Sequence, residues 1–129
     1  MNNIIEKMPT ISPVAEPLVF YAERMLILGY EIAECQGGGS AIVHFNLVES
    51  FKLEPISVES LSRLHPDAKP WSITDIGSVI TGSQFHSRGL RWLISFRDVT
   101  LSLTFTDISD VVKSTSTTSK SMMEYMAKL

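Results

Sequence analysis

Cysteine is nearly absent: Cys35 is the one thiol in 129 residues. A lone cysteine excludes an intrachain disulfide framework and any Cys-x-x-Cys redox or zinc pair. It fits a reducing compartment, so a cytoplasmic protein is expected. Charge is scarce as well, at 19% of residues against the ~25% usual for globular chains. There are 11 basic and 14 acidic groups, for a net charge of −3, and no basic stripe of the kind that grips nucleic-acid phosphates. No apolar run reaches the roughly 20 residues that span a bilayer. The longest mostly apolar stretch, Leu18–Tyr30, is interrupted by Glu23 and Arg24. The start, MNNIIEKMPTISPVAEP, lacks the basic start followed by an apolar run of a secretory signal.

Motifs that carry catalysis are missing too. Gly37-Gly38-Gly39 precedes a strand pattern and no lysine follows it, unlike a phosphate loop; it reads as a hairpin loop. Gly38-Gly39-Ser40 approaches a nucleophile elbow, but Ile42 stands where the second glycine is required. Cys35 has no neighbouring base. The three histidines, His44, His65 and His86, are dispersed, with no partner at metal-ligand spacing. His65 and Asp67 in the loop HPDAKPW, with His86, form the one constellation suited to general acid–base work. An aspartate after proline serves a turn equally well. No catalytic nucleophile, metal ligand or cofactor is therefore expected.

What is present is a strong β pattern. In residues 90–106, Leu90, Trp92, Ile94 and Phe96 alternate with Arg91, Leu93 and Ser95. After Arg97-Asp98 the apolar set becomes odd-numbered: Val99, Leu101, Leu103 and Phe105. A reversal at Arg97-Asp98 puts both sets on one face of an antiparallel hairpin, with Arg91 opposite Thr104 and Ser95 opposite Thr100. Ala41, Val43, Phe45 and Leu47 alternate in another strand, with Ile42 and His44 on its reverse face. Tyr30–Cys35 reads as a short strand before it. Ser50–Pro55 reads as a third, limited to an edge by Pro55, with Phe51 and Leu53 inward. Ser78–Phe85 reads as a strand broken by glycines, and His86–Gly89 as the turn that follows.

Helical spacing of Leu18, Tyr21, Ala22, Met25 and Leu28 predicts an N-terminal helix opened by Ser12-Pro13 and closed at Gly29. Ser57–Leu64 is a short middle helix. Asp107 or Ser109 caps a last helical region, weak through the serine- and threonine-rich Ser114–Ser121. A stripe of Met122, Met123, Tyr125, Met126 and Leu129 ends the chain. The expected architecture is one α+β domain over residues 1–129, with residues 1–12 an irregular lead-in. An antiparallel sheet of about five or six strands, in two hairpins or a meander, packs on the N-terminal helix.

Two surfaces draw attention. Arg88, Arg91 and Arg97 accompany the hydroxyls of the hairpin's outward face, and arginine forks suit carboxylates and phosphates. Residues 1–60 hold 8 acidic and 3 basic groups, the remainder 6 and 8, so the cations lie in the second half. Met122, Met126 and Leu129 would form an adaptable apolar helix face. Met122 and its neighbours, with Ile42 and Leu93 on outward faces, are a surplus beyond one core and point to a homodimer or a protein complex. In size, acidity and a first helix followed by strands, the expected order resembles the small acidic chaperones of type III secretion, which are α+β homodimers. It differs in a proline-bounded second helix and an extra strand.

The composition points to a small cytosolic protein-binding module of the chaperone, immunity or inhibitor kind, without catalysis or membrane contact. One alternative is a small-ligand or anion binder with a pocket between sheet and first helix, lined by Trp92, Phe105 or Tyr21. The other is an enzyme using His65, Asp67 and His86.

Overall fold

A computed structural model describes residues 5–56, 58–63, 65–80 and 88–129. Among them are eight strands and one α-helix. The strands are β1 (Leu18–Ala22), β2 (Met25–Glu31), β3 (Ser40–Asn46), β4 (Ser50–Glu54), β5 (Ile73–Ile80), β6 (Arg88–Ser95), β7 (Thr100–Phe105) and β8 (Asp107–Ser114). The helix, α1, spans Thr118–Met126. The strands build two antiparallel sheets, β1-β2-β3-β8 (sheet I) and β4-β7-β6-β5 (sheet II). The α+β class holds, but with two four-stranded sheets in place of one and, among the described residues, no N-terminal helix.

The largest correction lies at Leu18–Tyr30, which is a β-hairpin. Ala22 pairs with Met25 across a two-residue turn in which Glu23 and Arg24 both take left-handed backbone angles, φ 50° and 65°. Two left-handed residues match the twist of a tight hairpin, a conformation that normally draws Asn-Gly. β2 is enclosed on both faces: Leu26, Ile27 and Leu28 are all fully buried. A strand covered on both sides carries an unbroken apolar run, which local spacing does not distinguish from a buried helix. Gly29, expected as a helix terminus, is a strand residue beneath α1. A Cβ there would meet Thr118 Cγ2 at 3.0 Å and Met122 Cε at 3.2 Å, so the helix seats where the strand has no side chain. With the first helix goes the element order that resembled the secretion chaperones.

Other expectations divide. The 90–105 hairpin forms as read, with Trp92 opposite Leu103 and Phe96 N–H donating to the Val99 carbonyl across the turn. β3 and the edge strand β4 also form. Leu47, however, expected to continue the β3 alternation, follows the strand at φ 51° and is exposed. Phe51 and Leu53, expected inward, stay exposed because β4 is an edge with no strand beyond it among the described residues. The segment from Asp107 is a strand, β8, which pairs with β3 through a bulge at His44/Phe45. Helix begins only at Thr118, where the Thr117 hydroxyl accepts the Lys120 N–H. The strand expected at Tyr30–Cys35 ends at Glu31, and Glu34–Gln36 is a 3-10 turn capped by Gly37 at φ 97°. The middle helix is the 3-10 segment Val58–Arg63. Of the strand expected at Ser78–Phe85, residues 78–80 fall at the end of β5. Residues 81–87, with His86 and most of the expected turn, lie outside the described residues.

The core lies between the sheets. Leu26, Leu28, Tyr30, Val43 and Phe45 of sheet I meet Trp92, Ile94, Leu101, Leu103 and Phe105 of sheet II. Phe45, Trp92 and Phe105 pack edge-to-face with centroids 4.8–5.9 Å apart, a geometry that adds to their burial. The lead-in closes one end: Met8 and Ile11 are buried, and the Tyr30 hydroxyl donates to the Pro9 carbonyl at 2.8 Å. Burial pushes the Tyr30 pKa well above the ordinary phenol value. A second, smaller core forms on the outside of sheet I, where Met122 packs on Ile27 and Ile42 with Met126 and Tyr125 beside it.

Candidate functional site

The two sheets differ in what covers their outer faces. On sheet I, α1 lies over Ile27, Ile42 and Gly29. At its far end the Tyr125 hydroxyl meets His44 Nδ1 at 2.7 Å. Burial, then the negative charge of Asp110, raise the Tyr125 pKa. On sheet II the connection from β4 to β5 crosses one end only. The Thr100 hydroxyl donates to the Ile56 carbonyl, Ser95 N–H donates to the Ser72 carbonyl, and Ser95, Thr100 and Leu61 are buried.

The other end of that face is open. Pairing places Gly77, Arg91, Thr104 and Ser50 in one row across β5, β6, β7 and β4. Thr74, Leu93, Ser102 and Lys52 form the next row. Gly77, opposite Arg91, offers no side chain, and the adjoining bulge between Asp75 and Gly77 brings Ile76 to the same depression. Bulges commonly re-aim side chains in this way. The result is a groove of about 420 Å³. Arg91 and Lys52 are its cations, Ser50, Ser102 and Thr104 supply hydroxyls, and Ile76 and Leu93 supply apolar wall. No carboxylate is among its described lining residues. Lys52 pairs with Glu54 at 3.5 Å, while Arg91 makes no ion pair among the described residues.

The expected site residues are dispersed. Arg91 stands in the groove opposite Thr104, as the parity of the hairpin required. Arg97 sits in the β6–β7 turn, 3.9 Å from Asp98, and does not line the groove. Arg88 opens β6 opposite Ile80. Met122 is buried within its own chain and Met126 is half-buried beside it, so neither is part of an open apolar helix face. Leu129 and Met123 are exposed. Ile42, counted as surplus, is covered by α1, and Leu93 is only 4% exposed. Sequence reasoning missed Lys52 and Ser50, because which strand flanks β7 is a non-local fact; the signal was a lysine between Phe51 and Leu53 on an edge strand.

The alternatives meet different fates. Without a first helix there is no pocket between it and a sheet: Trp92 and Phe105 fill the sandwich core, and Tyr21 lies on an outer flank. His65 Nδ1 accepts the Asp67 backbone N–H at 3.1 Å, so that pair makes a turn, with the carboxylate 3.9 Å away and largely exposed. Among the described residues, no three His, Cys, Asp or Glu side chains gather as a metal site. No described helix is long and apolar enough to cross a membrane. Cys35 is exposed and unpaired. Compared with protein-family models, curated proteins and solved structures, the chain matches none.

Proposed function

We propose that this chain is a non-catalytic, cytoplasmic protein-binding module of the chaperone, immunity or inhibitor kind, and that it takes an acidic segment of a partner protein into the groove on sheet II. The observation that carries the reading is the contrast between the outer faces: one is sealed by α1, the other offers two cations, three hydroxyls and an apolar wall with no carboxylate among its described lining. Arginine forks and hydroxyls satisfy carboxylate lone pairs with charge-assisted hydrogen bonds. The apolar wall adds the burial that distinguishes a peptide from a free ion.

Selection from a random-peptide display library tests it. Asp- and Glu-rich sequences with a neighbouring apolar residue are expected to be enriched. Their affinity should fall with salt and drop about tenfold or more in Arg91→Glu, in line with the loss of one charged hydrogen-bonding group. Enrichment of neutral sequences only, or equal binding by Arg91→Glu, would remove the groove from consideration.

A further inference from the structure

β4 is the last strand of sheet II, and among the described residues nothing pairs with its free edge. Free edges invite pairing with another chain, and a lysine is a usual deterrent. Here the deterrent is blunted, since Lys52 is matched by Glu54 on the same face, 3.5 Å away. On the opposite side, which Phe51 and Leu53 share with the core residues Leu103 and Leu101, the edge leaves apolar surface uncovered: Phe51 is 38% exposed and Leu53 44%. Tyr21 of β1, 43% exposed, lies against Phe51 with ring centroids 4.8 Å apart. Tyr21, Phe51 and Leu53 thus form one exposed apolar patch along the edge of β4, separate from the exposed Met123 and Leu129 of the C-terminal segment.

We infer that this flank is a two-fold interface between two copies of the chain, β4 against β4, antiparallel and centred on Leu53. In that register Leu53 faces Leu53, and Lys52 of each copy faces Glu54 of the other. Both faces of the strand are then complementary, as isologous contacts require. The neighbouring alignments are worse. Centring on Lys52 opposes two ammonium groups, which destabilises a directly facing pair. Centring on Phe51 leaves Lys52 opposite serine. A shift by a single residue puts apolar side chains on the charged face. Pro55, which has no N–H to give, falls at the end of the paired stretch, where it costs least. The dimer would join two copies of sheet II into one continuous eight-stranded sheet and set their two grooves on a common face. It shares Lys52 with the groove, but it rests on the edge strand and not on what the groove binds.

Solution mass by sedimentation at low salt, from micromolar concentration upward, tests the pairing. The wild type is expected at twice the chain mass. Lys52→Glu and Glu54→Lys are each expected to be monomeric, because each opposes like charges at both symmetric positions. An equimolar mixture of these two variants should regain the dimer, since every cation then faces an anion. Recovery on mixing also shows that both variants are folded. A monomeric wild type, or single variants that remain dimeric, or a mixture that stays monomeric, each overturns the interface. Arg91→Glu should leave the mass unchanged, so failure of the groove and failure of the interface are separable.

Discussion

Sheet I and sheet II have the same number of strands and the same antiparallel pairing, yet they are different kinds of layer. Sheet I is enclosed twice, by the sandwich core and by α1, so Ser40 through Val43 of β3 are buried at every successive position. Sheet II is enclosed once over its open end. There β7 alternates between buried Leu101, Leu103 and Phe105 and half-buried Ser102 and Thr104. A layer sealed on both faces has little surface to offer a ligand. The layer with one free face can present chemistry, and its cations and hydroxyls stand there.

The sharpest way to break this contrast is to mutate successive residues. On β2, Ile27→Ala and Leu28→Ala should each cost about 2–5 kcal/mol in chemical denaturation, because the two point into different cores. On β7, Leu101→Ala should cost as much, while Ser102→Ala should stay within about 0.5 kcal/mol. If Ile27→Ala were as mild as Ser102→Ala, sheet I would not be closed by the helix. Next in size is Met122→Ala, which removes the centre of the smaller core. A loss of about 2 kcal/mol is expected, with binding of a hydrophobic dye as the helix loosens. An unchanged midpoint would mean that α1 is held by its hydrogen bonds alone.

The smallest effect concerns pH. The Tyr125 pKa is raised in the folded chain, mainly by burial, so folding favours its neutral form. The resulting stability is complete below the unfolded value of about 10 and is lost as pH rises through the higher folded value. Melting temperature should therefore hold steady to about pH 9.5 and fall above it. Tyr125→Phe should fall less steeply, with the buried Tyr30 accounting for what remains. Identical alkaline profiles for the two proteins would separate the helix latch from stability.

The same asymmetry decided what could be read from the sequence. Sheet II was legible in β4 and the β6–β7 hairpin, whereas of β5 (Ile73–Ile80) only the last three residues fall in the strand expected at Ser78–Phe85. The parity switch at Arg97-Asp98 yielded the hairpin and its register, including Arg91 opposite Thr104. β4 was legible as an edge because of Pro55. Sheet I was not. Enclosure on both sides erases the alternation of β2, and the turn at Glu23-Arg24 holds two left-handed residues without glycine or asparagine. β8, half-exposed and rich in Ser and Asp, resembles a capping segment until β3 lies beside it. Of the candidate site, one cation in two was visible. Arg91 belongs to a local hairpin, whereas Lys52 joins it only through the pairing of β4 with β7.

The closing strand and helix arrive last, and this shapes how the molecule is made. In sheet I, β3 is an inner strand, and one of its neighbours is β8. The hydroxyls of Ser40 and Ser121 meet across 81 positions, as do His44 and Tyr125. During synthesis the β1–β2–β3 meander therefore waits with one side unpaired and its outward Ile27 and Ile42 wet until the final segment follows. Such distant pairings place a chain among the slower two-state folders, in the range of about milliseconds to seconds. The waiting intermediate exposes both an open strand and an apolar surface, the combination most prone to aggregate. Loss of α1 would thus harm the nascent chain more than its small share of the finished core suggests.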